Sequence, residues 1–203
     1  MRFNVRPQER QVIGDFLGLM YAIGGAKMMH LTDDQGHMLV FGIRQRHDLS
    51  QWAPTGFLGQ LATQFSAGSL LIVRGPAASD TVWHEFGHWL DHFGLPKADV
   101  RRLTEEATQA LVNCVPAREQ YLELVASYSR GSHGYRPAAD LAGAEVFARF
   151  VEAWAYEKSR ALTAAGHVVV PPERMAGNGI SLTGGLVCPR AGVCSLTFLH
   201  RLG

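Results

Sequence analysis

The sequence predicts an α+β fold, mostly helical, with a small mixed sheet beside a histidine-bearing helix. Two observations carry that expectation. Apolar residues recur at helical spacing over several long stretches, and short runs rich in branched residues, Met38 to Ile43 and Ser69 to Arg74, interrupt them. At 203 residues and 47% hydrophobic content the chain can bury a proper core. One domain over 1-203 is the simplest organisation, with its core at about 69-161, an N-terminal region 1-68 and a C-terminal appendage 162-203.

The elements follow in order. From Pro7 to about Tyr21, Val12, Phe16, Leu19 and Met20 lie at helical spacing, and Gly24-Gly25 stops the pattern. Gly36 marks a turn before the strand expected at Met38 to Ile43. Ser69-Leu70-Leu71-Ile72-Val73-Arg74 reads as a second strand, ending at Gly75-Pro76. That strand is either an edge that pairs with an extended peptide through main-chain hydrogen bonds or, given its continuous apolar run, a buried central strand. Asp99 to Asn113 and Pro116 to Ser127 read as two helices, the first with Leu103, Ala107, Ala110 and Leu111 facing inward. Beyond Gly166, the runs VVVPP, ISLTGGLV and VCSLTFL suggest short strands or irregular packing.

The richest stretch is TVWHEFGHWLDHFG. Ser79 or Asp80 can cap a helix here; Val82, Trp83, Phe86, Trp89 and Leu90 supply its apolar side, and Gly94 and Pro96 end it. On that helix His84 and His88 stand four residues apart, so both imidazoles leave one face and can grip one Zn²⁺. Glu85 stands beside them, as the general base of a water-activating zinc site does. An amphipathic core helix with surface histidines is the plain alternative. It gives no reason for His84, Glu85, His88 and Asp91 to interrupt so many large apolar residues.

A zinc site that does chemistry needs a third protein ligand and an open fourth position. The extended pattern HExxHxxGxxH fails, because Asp91 and Gly94 occupy its glycine and histidine positions. Asp91 is too close along the same helix to ligate comfortably and suits a partner that holds an imidazole tautomer. His92 reads as a surface residue. The better source is AGAEVFARFVEAWAYEKS, a helix in which Val146, Phe147, Phe150, Val151 and Trp154 form an apolar stripe and Glu145, Arg149 and Glu152 lie opposite. Glu145, in the first turn, is the expected third ligand, with Glu152 as the alternative. Glu152 otherwise serves as a carboxylate bonded to a ligand histidine or to Arg149. A solvated polar face is the competing account of both.

HEFGHWLD followed by AEVFARFVEAW resembles the gluzincin arrangement of zinc metallopeptidases, of the kind found in the anthrax lethal factor catalytic core. It is also similar to the zincin-like domains in large polyvalent proteins of phages and other mobile elements. The resemblance covers about 69-159; Trp89 stands where those proteins usually carry a small residue, and the segment between the two helices does not match closely. It implies a zincin-like metallopeptidase fold, Zn²⁺ on His84, His88 and Glu145, Glu85 as general base, and peptide-bond hydrolysis. It also asks for a proton donor at the oxyanion: Tyr135 on a glycine-flanked loop, with Tyr128 as the alternative and His133 as a third option. The other function it implies is a zinc-bound accessory or binding module with little peptidase activity.

Lys and Arg total 19 against 18 Asp and Glu, for a net charge of +1, so nucleic acid binding has no electrostatic support and a peptide or protein substrate is the expected partner. The first residues lack signal-peptide character and no run is expected to span a membrane; the expected location is the cytoplasm, for a bacterial or phage-encoded protein, with delivery into a target cell left open. Cys114 reads as a helix residue. Cys188 and Cys194 lack zinc-knuckle spacing and are expected as reduced thiols. Oligomeric state has no sequence signal.

Overall fold

The structure, a computed structural model, describes residues 7–30, 40–43, 59–65, 68–73, 79–113, 115–130 and 138–172. Helix α1 spans Pro7–Gly24 and runs into a 3₁₀ segment, Gly25–His30. Proline suits the first turn of α1, where its missing N–H would have no intrahelical partner. Helix α2 spans Ser79–Trp89, α3 Lys97–Asn113, α4 Val115–Arg130 and α5 Ala138–Ala164. The expected helix starts at Asp99 and Pro116 thus move upstream by two residues and one. At α3 the cause is Pro96, whose carbonyl accepts from Asp99 and Val100 N–H.

Helix α2 does not stop at Trp89. It widens into a π turn, Leu90–Gly94, closed by Leu95 N–H donating to Leu90 O at 3.0 Å. Helix α5 is longer than its sequence pattern suggested and ends in a Schellman motif: His167 N–H donates to Leu162 O and Gly166 N–H to Thr163 O. Gly166 has φ 88°, a left-handed conformation that glycine adopts without a Cβ penalty.

α2 and α5 pack along each other at the centre, with α1 across α2 and with α3 and α4 against α5. Phe16 of α1 meets Trp83 and Phe86 of α2 at ring-centroid distances of 4.5 and 5.5 Å, and Trp83 meets Trp154 of α5 edge-on at 6.2 Å. These tilted and edge-to-face pairs add to the burial of large apolar surfaces that holds the three helices together. Leu103, Ala107, Ala110 and Leu111 of α3 are all buried, completing the core. Trp89 is fully buried and stacks on Phe86, so the bulky side chain fills the core.

The expected α+β class, and with it a zincin-like fold, is corrected. The residues whose side chains are described are 90% helical and include no strand, and the core cluster is built from helices and the turns that join them. The physical reason is where the bulk lies: the large buried side chains, Trp83, Trp89, Phe86, Phe16 and Phe147, are all helical. Among the described residues the strands are three short segments, β1 (Val40–Ile43), β2 (Gly59–Phe65) and β3 (Gly68–Val73). β3 pairs in parallel with β1 and antiparallel with β2. The run at Ser69 is therefore paired on both sides, and the edge-strand reading of it is set aside. Arg74 and the C-terminal runs beyond 172 lie outside the described residues.

One expectation about membranes is also amended. Arg10–Met29 is a 20-residue stretch long and apolar enough to cross a membrane by length and composition, with 22% of its window buried. Phe16, Leu19, Met20 and Met28 within it belong to the core cluster.

Candidate metal centre

Where α2 crosses α5, Gly87 faces Ala148. A Cβ built on Gly87 would lie 2.7 Å from Ala148 Cα, closer than real Cβ contacts come, and 3.2 Å from its Cβ, a tight contact. Glycine at 87 and alanine at 148 thus let the two backbones meet. That contact sets the site, because Gly87 lies between His84 and His88 on α2 while Ala148 lies between Glu145 and Glu152 on α5. Residues three before and four after a crossing point share one helix face, so both carboxylates are delivered to the histidine pair.

His84 Nε2 and His88 Nε2 stand 3.1 Å apart, with the rings nearly perpendicular. Glu145 brings Oε2 to 3.3 Å from His84 Nε2 and Oε1 to 3.4 Å from His88 Nε2. All three donor groups offer an atom within 4.8 Å of one another. Zinc bonds of roughly 2.0–2.2 Å in a tetrahedron put neighbouring ligand atoms about 3.3–3.6 Å apart. The 3.3 and 3.4 Å spacings, one from each Glu145 oxygen, fall in that range, and the 3.1 Å between the imidazole nitrogens is slightly shorter. The donor types, two imidazoles and a carboxylate, match as well. Zinc fits the residues present.

Glu152 occupies the other side of His84. Its Oε1 is 2.7 Å from His84 Nδ1, and Arg149 Nη1 donates to the same carboxylate at 2.8 and 3.1 Å. With Nδ1–H donated to Glu152, the lone pair of His84 is left on Nε2, facing His88 and Glu145. Glu152 is thereby on the wrong side of the ring to join His84 as a ligand; the alternative that made it the third ligand is replaced by the carboxylate-to-histidine role. Arg149 bonds to it as well.

Electrostatics follow from this enclosure. Burial alone would lower the His84 pKa, but the Glu145 and Glu152 carboxylates outweigh it and hold it up at about 9. Burial would raise the Glu145 pKa, yet hydrogen bonds and attraction from His84 and His88 hold it well below the usual carboxylate range. A site that draws a proton onto His84 at neutral pH is a site arranged for positive charge.

Glu85 is buried, at 7% exposure, and follows His84 on α2. Asp91 lies elsewhere than expected. Its carboxylate and backbone carbonyl face Lys97, at 3.4 Å for Oδ1, so it ties the π turn to the start of α3. The change to i→i+5 bonding at Leu90 alters which residues stack beyond His88, and Glu152 takes the imidazole-holding role expected of Asp91. His92 packs its ring near Phe93. Tyr135 and His133 lie outside the described residues, as do Cys114, Cys188 and Cys194; Tyr128 is on α4, and its side chain is outside them too.

No family model, curated protein or solved structure matches the chain. The likeness to gluzincins therefore stands on two motifs, and the His84-His88-Glu145 cluster does not by itself identify a zincin. What sequence reasoning missed is the pair Gly87 and Ala148. Its only signal was two small residues set among large ones, each flanked by the polar groups of the site.

Proposed function

We propose that the chain is a zinc-dependent peptidase that hydrolyses peptide bonds in a peptide or protein substrate. The carrying observation is that His84 and His88 on one helix and Glu145 on another present donor atoms within 4.8 Å, while Glu152 holds the far nitrogen of His84. A structural zinc site is usually closed by four protein ligands; here the described cluster offers three, beside a buried carboxylate at Glu85.

When bound, zinc polarises a carbonyl and brings water to a pKa of about 7. The remaining steps belong to the chain. Glu85 takes the proton of the attacking water on its carboxylate, the C–N bond breaks, and Glu85 returns that proton to the leaving amine. His84 and His88 would hold the metal through their imidazoles and Glu145 through its carboxylate, while Glu152 keeps His84 in the required tautomer. Tyr135, or alternatively Tyr128, donates a hydrogen bond from its hydroxyl to the oxyanion that forms in the transition state.

The test combines metal analysis with Glu85→Gln. Purified protein should carry one equivalent of zinc, Glu145→Ala should lose it, and Glu85→Gln should keep it. Cleavage of a fluorogenic peptide library should fall by about 10²- to 10⁴-fold in Glu85→Gln. Undiminished cleavage in that variant would refute the mechanism. Stoichiometric zinc with no cleavage by the unsubstituted chain would favour an accessory binding module.

A further inference from the structure

Arg149 lies one turn before Glu152 on α5 and puts a single guanidinium nitrogen, Nη1, on both of its carboxylate oxygens. We propose that Arg149 is a positioning residue of the metal centre: it clamps Glu152 in the orientation that receives His84 Nδ1–H, and so fixes the direction of His84 Nε2. The inference rests on the zinc reading of this site.

Glu152 is 3% exposed, and a carboxylate so buried is kept only when its lone pairs are bonded. Its Oε1 serves His84 and Arg149 together. Glutamate has a long, freely rotating stem, and nothing in a bond to one imidazole nitrogen fixes the plane of the carboxylate. The contact from Nη1 to both oxygens does. Without it, Glu152 loses the charged donor that holds both of its oxygens in one plane, and the acceptor that sets the tautomer and tilt of the His84 ring is held less firmly. Both contacts to Glu152 come from the one nitrogen, Nη1, so a lysine ammonium placed there can supply them to the same two oxygens.

A bystander charge would act in the opposite sense. A cation this near the site repels a metal ion, so its removal on electrostatic grounds alone strengthens binding. A loss of affinity on removing Arg149 is therefore a signature of positioning.

The experiment is zinc affinity, by competition with a chromophoric chelator at fixed pH, for the full chain and for Arg149→Met, Arg149→Lys, Glu152→Gln and the double variant Arg149→Met/Glu152→Gln. Folding is checked by circular dichroism, and Arg149→Gln replaces Arg149→Met should the latter not fold. Arg149→Met should bind zinc about 10- to 100-fold more weakly, and Arg149→Lys within about threefold of the unsubstituted chain. In the Glu152→Gln background, Arg149→Met should change affinity by less than about threefold, since the carboxylate it acts through is gone. The visible spectrum of the cobalt-substituted site should shift in Arg149→Met and be restored in Arg149→Lys. Unchanged or tighter binding in Arg149→Met, or equal losses in both backgrounds, overturns the inference while the zinc reading stands. An unsubstituted chain that takes up no zinc overturns both.

Discussion

His84 is the residue on which the electrostatics of the site converge. It lies between Glu145 on Nε2 and Glu152 on Nδ1, and without metal the two carboxylates hold its pKa at about 9 against an ordinary 6.5. A raised folded-state pKa stabilises the metal-free protein fully below the unfolded value and is lost as pH rises through the folded one. The window is therefore about pH 6.5 to 9. The lowered pKa of Glu145 is the other half of the same pairing, present above its ordinary 4.5 and lost as pH falls through the lower folded value. Chelator-treated protein should thus lose thermal stability between pH 6.5 and 9, whereas zinc-loaded protein should not, because zinc replaces the proton. Calorimetric titration with zinc near pH 7.5, in buffers of different ionisation enthalpy, should show release of about one proton per zinc. An enthalpy independent of buffer would contradict this picture of His84. The histidine pair and Glu85 were legible in the sequence because i, i+4 spacing on one helix is local information. Glu145 and Glu152 were legible as a pair on one face. Which nitrogen of His84 each reaches depends on where α5 crosses α2, and no local pattern encodes that.

At the scale of elements, the crossing is set by Gly87 and Ala148, and the test is to push the helices apart. Gly87→Ala places its methyl carbon 2.7 Å from the Ala148 backbone, a clash that a side-chain rotation cannot relieve. Overpacking of this kind costs about 1–3 kcal/mol, offset in part by the better helix propensity of alanine, roughly 1 kcal/mol. Stability should fall modestly. Zinc affinity should fall further, about tenfold or more, because a small shift misaligns all three donors. Gly143→Ala is the control on α5: its added carbon meets only Thr104 Cγ2 at 3.5 Å, an ordinary contact, so it should stabilise by up to about 1 kcal/mol and leave zinc binding alone. Equal zinc affinity in Gly87→Ala and Gly143→Ala would remove the crossing from the account. Helices α1 to α5 were readable because their apolar residues repeat over many turns, with starts misplaced by a residue or two at α3 and α4 and by four at α5. The extended segments were not readable to the same depth. A run such as LLIV states that both faces are apolar, but central placement between β1 and β2 is a matter of pairing partners far away in sequence.

In the whole molecule, the proposed metal fastens α2 to α5 across the long intervening stretch that contains α3 and α4. Those two helices pack on α5, so the segment is already partly closed by apolar burial, and zinc adds a ligand-linked term to a core that exists without it. Trp83, Phe86 and Phe16 interlock within the core, independent of any metal. Removal of zinc should therefore leave the protein folded, unlike a small zinc finger whose folding energy is the metal. At free zinc a thousandfold above the dissociation constant, linkage gives about 4 kcal/mol. For a chain of this size that raises the melting temperature by on the order of 10 °C. Scanning calorimetry should show a cooperative transition in chelated protein and an upward shift of that order on adding zinc. Glu145→Ala should keep the transition and lose most of the shift, since two imidazoles alone hold the ion weakly. A chelated protein with no cooperative transition would mean that the aromatic core does not suffice, and that metal, rather than helix packing, specifies how α2 and α5 meet.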